Sequence, residues 1–319
     1  MTYPKIELHV HLEGTVRPDL LRRIARRNDV RLPAGLRYAF RDFAHFIEMY
    51  TLTVTALRSE RDFREVVVAY AAEAASHGAV YLEAIFGPTD AVRTGTSWDE
   101  VFSGYCDGAR QAWEEHGVQV NLAPDIGRQF TLEEAELVGR YAARYRDRGI
   151  VGLGLGGLEA EFPPEPFERI FAEAGAAGLA SLPHAGEVAG ARSVRGALGA
   201  LGAQRVRHGI GAIEDPGLVR ELADRRVVLD VCPVSNLRTG AVRSLDEHPL
   251  PQLVAAGVPC SLATDDPAMF DTDLGREYDE ATNRWSLSPR SFYAAGVEGA
   301  VCDDATRERL REIGERFAW

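Results

Sequence analysis

The sequence predicts an α/β fold, a (β/α)8 or TIM barrel with extra helices between its first and second strands, on three observations. Eight short apolar, β-branched runs recur along the chain. Amphipathic stretches separate them, with apolar residues at three-to-four spacing and a glycine after the last turn. The length, 319 residues, suits eight strand–helix units with insertions.

Taken in order, the expected strands are IELHVHL (6–12), AVYLEAIF (79–86), VQVNLAPDI (118–126) and IVGLGLGG (150–157). LASLPHAG (179–186), RVRHGI (205–210), VVLDVCPVSN (227–236) and VPCSLATDDP (258–267) complete the set. Such continuous apolar runs suit parallel strands covered on both faces by crossover helices. The spacing predicts helices over 63–78, 131–149 and 164–178. The connection from 13 to 78 is long, and its apolar stretch 40–57 reads as helix that packs on the barrel top or forms a lid over a site there. A doubly wound open sheet is the alternative, but no G-x-G-x-x-G follows the first strand. GLGLGG (152–157) precedes a proline-bearing loop and makes a poor phosphate cradle. With no repeat, low-complexity tract or linker, residues 1–319 read as one domain.

The formal net charge of −12, with both signs mixed along the chain, disfavours nucleic acid and anionic membrane surfaces as partners. No apolar run approaches the ~18 residues that span a bilayer. The first residues lack an apolar signal core. A cytoplasmic enzyme acting on a small molecule is the expectation, with self-association left open. Four scattered cysteines, Cys106, Cys232, Cys260 and Cys302, read as buried small hydrophobes.

Barrel enzymes draw their catalytic residues from the C-terminal ends of several strands. His9 and His11 end strand one, and a two-residue period turns both to one face. His184, with Glu187 beyond it, ends strand five. His208 ends strand six, and Asp265 and Asp266 end strand eight. Singly, each has a bland reading: a strand-end histidine satisfied in the core, or an Asp-Asp-Pro turn. Together they are polar groups converging on one barrel mouth, where burial demands pairing or coordination. Neutral imidazoles plus a carboxylate suit a borderline ion such as Zn2+. Lys5, the single lysine, lies before strand one, so a carbamylated lysine bridging two metals on strand four is excluded and one ion per chain is expected.

HVHLEG, HAGE, RHG, CPVSN and TDDP, in that order, resemble the adenosine deaminase family of the amidohydrolase superfamily, from Lys5 to about Tyr278. The resemblance implies zinc held by His9, His11, His184 and Asp265. It implies that Glu187 protonates the purine ring nitrogen while a metal-bound hydroxide attacks C6, with His208 and Asp266 orienting and activating that water. Gly157 matches a backbone donor to the purine edge. Glu13 stands where adenosine-specific members carry an aspartate that contacts the ribose. The chemistry agrees: displacing an aromatic amine at neutral pH needs a strong nucleophile, and zinc lowers the pKa of bound water to about 7.

Substrate features diverge. HLEG is similar to the adenine-acting and modified-nucleoside branches, whereas TDDPAMFDTDLGREY (264–278) is similar to the nucleoside branch. The expected substrate is therefore a 6-aminopurine nucleoside, adenosine or a 5′-modified form such as 6-aminodeoxyfutalosine. Adenine itself is the alternative. A barrel hydrolase opening a cyclic amide or ester, and a catalytically inactive purine-binding barrel, are the further readings. Arg128 reads as a solvated loop residue, or else as a partner for an acidic 5′ group.

Overall fold

A computed structural model describes residues 3–33, 35–36, 38 and 43–319, with 43–45 described in their backbone alone. Its strands are β1 Lys5–His11, β2 Ala79–Phe86, β3 Gln119–Gly127 and β4 Gly152–Gly156. β5 runs over Ala180–Ser181 and, past Leu182 and Pro183, His184–Ala185; then come β6 Arg205–His208, β7 Val228–Val231 and β8 Cys260–Leu262. Every neighbouring pair is parallel, from Lys5 opposite Ala79 through to Val231 opposite Leu262. The ring closes where Val10 bridges Asp265: His11 N–H donates to Asp265 O at 2.7 Å and Asp265 N–H to His9 O at 3.1 Å. This is the expected (β/α)8 barrel.

The helices are α1 Pro18–Arg27, α2 Phe43–Ala56, α3 Glu60–Ser76, α4 Pro88–Arg93, α5 Trp98–His116, α6 Leu132–Arg144, α7 Glu168–Ala176 and α8 Gly190–Ala200. α9 Pro216–Asp224, α10 Pro233–Arg238, α11 Leu250–Ala255, α12 Pro267–Phe270, α13 Leu274–Trp285, α14 Pro289–Gly299 and α15 Asp304–Arg316 follow. Capping boxes start α5 at Ser97 and α6 at Thr131, each closed by a glutamate three residues on. The expected stretch 40–57 becomes α2, with 40–42 outside the described residues. None of the helices is long and apolar enough to cross a membrane, among the described residues.

Two expected strands stop short. Those drawn to 236 and 267 end at Val231 and Leu262, because Pro233 and Pro267 each open a helix. Proline has no N–H for the ladder, while its fixed φ suits the first helical turn. The correction matters for the site, since α10 and α12 grow from the barrel mouth.

The barrel interior is charged as well as apolar. Arg205 on β6 donates to Asp230 Oδ2 at 2.5 Å and Glu83 Oε2 at 2.6 Å, all three buried. A buried cation in such a fork is held by opposite charge rather than by water. Lys5 Nζ donates to His77 O at 2.6 Å at the N-terminal end of β1, away from β4, consistent with its exclusion as a metal bridge.

Candidate active site

The seven residues expected at strand ends converge on one mouth. Nε2 of His184 lies 3.0 Å from Nε2 of His9 and 3.1 Å from Nε2 of His11. Asp265 Oδ1 is 3.3 Å from Nε2 of both His9 and His11. Outer contacts set which nitrogen is bare. His184 Nδ1 lies 3.2 Å from Leu155 O and 3.2 Å from Asp125 Oδ2, and His9 Nδ1 lies 3.4 Å from Asp230 O. Those oxygens only accept, so the ring protons sit on Nδ1 and the Nε2 lone pairs face one another. Burial reinforces neutrality, pushing His9 down to about 3 and His184 well below its ordinary value.

Facing lone pairs at this distance repel unless a cation lies between them. Tetrahedral zinc with bonds near 2.0–2.1 Å requires ligand atoms about 3.3 Å apart. The donor set fits such an ion in kind and spacing. Asp265 is further aimed by Ser235, whose hydroxyl donates to Oδ2 at 2.5 Å. His208 and Asp265 both sit at positive φ, +61° and +64°, a costly backbone for these residues of the kind found at functional sites.

Around that centre lies a cavity of ≈ 200 Å3, lined among others by His11, Gly157, His184, Glu187, His208, Asp265 and Asp266. Glu187 Oε2 is 3.5 Å from His208 Nε2, and Oε1 accepts from the Thr239 hydroxyl at 3.1 Å. Burial raises its pKa, which favours a carboxyl that carries a proton to donate. Asp266 Oδ1 is buried without a protein partner, beside Asp265. Gly14 makes room for it, since a Cβ there would overlap the Asp266 carboxyl. Gly157 holds φ +97°, and a Cβ on it would overlap the Gln129 amide.

Glu13 is placed differently from the other expected residues. It is buried outside the lining of the cavity; its Oε1 accepts from Gly87 N–H at 3.0 Å and the Tyr105 hydroxyl at 2.9 Å, and Oε2 has no protein partner. Arg128 fits neither expectation. It is 1% exposed, and its guanidinium donates to the carbonyls of Leu155, Gly156, Phe162 and His184. It braces β4, the segment beyond it and β5 from within, so it is neither solvated nor aimed at a ligand.

Three contributors escaped the sequence reading. Glu159 accepts the N–H groups of Gly186, Glu187, Val188 and Ala189, clamping the loop that carries Glu187. Its signal was a carboxylate two residues after Gly157. Asn236 and His248 stand behind His208; Asn236 lies in CPVSN, while His248 carries no local signature. Over the mouth, α2 supplies Phe46, Ile47, Tyr50 and Thr51, and α12 supplies Phe270. The Phe46 and Phe270 rings stack at 5.2 Å between centroids.

Comparison with known proteins places the chain in a family and fold. The family model described as adenosine deaminase matches residues 4–314. The chain is 49% identical to the aminodeoxyfutalosine deaminase of Acidothermus cellulolyticus, covering 99% of this chain and 92% of that one. It is 38% identical to the adenine deaminase of Rhizobium leguminosarum bv. trifolii, covering 96% and 97%. The crystal structure of adenine deaminase from Arthrobacter aurescens superposes with a TM-score of 0.92 at 30% identity, covering 98% of each chain. An amidohydrolase from Burkhoderia ambifaria with bound Zn gives a TM-score of 0.90 at 26% identity, covering 98% and 90%. The match along nearly the whole chain, together with the barrel and its histidine–aspartate centre, makes this protein an aminohydrolase of the adenosine deaminase family, within the amidohydrolase superfamily.

Proposed function

We propose that this protein is a zinc-dependent hydrolytic deaminase of a 6-aminopurine nucleoside with a 5′ extension, aminodeoxyfutalosine being the first candidate. The single observation that carries the reading is the ring of Glu187, His208 and Asp266 around four donor atoms of His9, His11, His184 and Asp265. Zinc bound by those four supplies Lewis-acid activation of water. The chain's own groups do the rest. Glu187 gives its proton to the ring nitrogen beside C6, so the charge displaced by attack is neutralised where it forms. Asp266 takes one proton from the attacking water and passes it to the departing amine, which leaves as ammonia. The water's second proton returns to Glu187, so the cycle closes on a 6-oxopurine. His208 donates from Nε2 to the attacking oxygen as charge grows on it. Gly157 offers its backbone to the purine edge, and Glu13 supports the ribose side through Gly87.

Two findings favour the extended nucleoside over adenine. The apolar wall of Phe46, Ile47, Tyr50 and Phe270 offers contact area beyond the metal-facing groups, and the 49% relative bears that activity's name while adenine deaminases such as those of Rhizobium stand at 38%, level with two further aminodeoxyfutalosine deaminases. On this reading residues 1–319 are one barrel domain working in the cytoplasm on a small molecule. The test is loss of the aminopurine ultraviolet band with aminodeoxyfutalosine, adenosine and adenine side by side, on zinc-loaded protein. Fastest turnover of the extended nucleoside is expected; turnover of adenine alone would overturn the substrate and leave the site roles standing.

A further inference from the structure

His208 has a partner chain behind it that runs away from the cavity. Its Nδ1 lies 3.1 Å from Asn236 Nδ2, Asn236 Oδ1 lies 3.1 Å from His248 Nε2, and His248 Nδ1 accepts from the Leu250 backbone N–H at 3.1 Å. His208, Asn236 and His248 are at most 2% exposed, so water does not supply alternative partners. The direction of this chain is fixed at its far end. A backbone amide can only donate, so His248 Nδ1 is bare and the ring proton sits on Nε2. That N–H needs an acceptor, which orients the Asn236 amide with Oδ1 toward His248 and Nδ2 toward His208. An amide nitrogen can only donate, so His208 Nδ1 is bare in turn, and its proton is on Nε2. That N–H faces the cavity, 3.5 Å from Glu187 Oε2 and 3.9 Å from Asp265 Oδ2. Burial pushes His248 down to about 4, so it stays neutral at working pH and the order does not reverse.

We propose that His248 is a positioning residue that acts through Asn236 to hold His208 in its Nε2–H tautomer, the form able to donate into the reaction centre. In the other tautomer a lone pair would face Glu187 and the attacking oxygen, and the donation assigned to His208 under the proposed function would be lost. The inference rests on that reading for its catalytic consequence but not for the tautomer itself.

Two measurements separate these. In zinc-loaded, 15N-histidine-labelled protein, the ring nitrogens of His208 should show Nδ1 as the unprotonated and Nε2 as the protonated atom, with no substrate present. A wild-type spectrum with the proton on Nδ1 overturns the proposal whatever the enzyme turns over. His248→Phe keeps an aromatic ring beside Trp285 and removes both polar atoms. It should lower kcat about 10- to 100-fold, the range for outer residues that orient a catalytic group, with KM and zinc content within about twofold. Its His208 spectrum should become a mixture of tautomers. His248→Gln can accept from Leu250 and donate to Asn236, so kcat should return to within about threefold and the single tautomer be restored. A folded His248→Phe with unchanged kcat and spectrum, or a His248→Gln no better than His248→Phe, overturns the relay. If the variants fail to fold, Asn236→Asp serves: an acceptor facing His208 should move the proton to Nδ1, and an unmoved proton refutes the chain.

Discussion

Glu277 tests how α13 holds the site from behind. Its carboxyl is fully buried, accepts the Val234 N–H at 3.1 Å and the Thr272 hydroxyl at 2.8 Å, and so pins the start of α10, the helix that carries Ser235 and Asn236. Burial raises its pKa from 4.5 to about 8 against the pull of those two bonds. The sign follows from proton counting. Between the two values the folded state holds one more proton than the unfolded chain, so this group's contribution is full below pH 4.5, declines as pH rises, and is gone above about 8. Over the window between 4.5 and about 8, at about 1.36 kcal/mol per pH unit, this amounts to about 5 kcal/mol. Glu277→Gln removes the titration and keeps the bonds, since its oxygen takes the Val234 N–H and the Thr272 hydroxyl turns to accept from the amide. Denaturant unfolding of both proteins from pH 5 to pH 9 is the assay. The variant's advantage over wild type should grow progressively from pH 5 to pH 9, by about 4 kcal/mol. Parallel stability curves across that range would refute the reasoning, because they would mean that Glu277 is not protonated when folded.

Three other outcomes are expected. Glu187→Gln should cut aminopurine turnover by about 100-fold or more while elemental zinc content and nucleoside binding persist; undiminished turnover removes Glu187 from its role. Chelation should abolish turnover and lower the thermal midpoint, with added zinc restoring both, since a ligand at about 100 times its Kd adds about 2.7 kcal/mol to the folded state. Arg128→Met should destabilise the protein by about 3 kcal/mol, because four carbonyls lose their donor, and a calorimetric midpoint that does not fall contradicts the bracing role.

Much of the barrel was legible because a strand buried on both faces must be apolar along its length. The run at 79–86 matched β2 to the residue, and the histidines and aspartates at strand ends stood out as the polar exceptions that a barrel mouth accommodates. The ends of β7 and β8 were misjudged, because apolar runs continue through Cys232 and Ala263 and only the prolines mark where pairing stops. Arg128 shows the limit more sharply. Its loop setting suggested solvent, yet the carbonyls it binds come from β4, the segment beyond it and β5, up to 56 residues away in sequence.

By itself, then, the sequence determined the eightfold strand–helix alternation and the strand-end placing of the histidines and aspartates, since those follow from periodicity and side-chain chemistry. Only the tertiary structure decided how the donors meet. The 3.0 Å approach of His9 to His184 spans 175 positions, and the order of protons from Leu250 through His248 and Asn236 to His208 depends on which atom faces which. Distance and hydrogen-bond direction between remote segments leave no periodic trace along the chain; they arise only once the ring is closed.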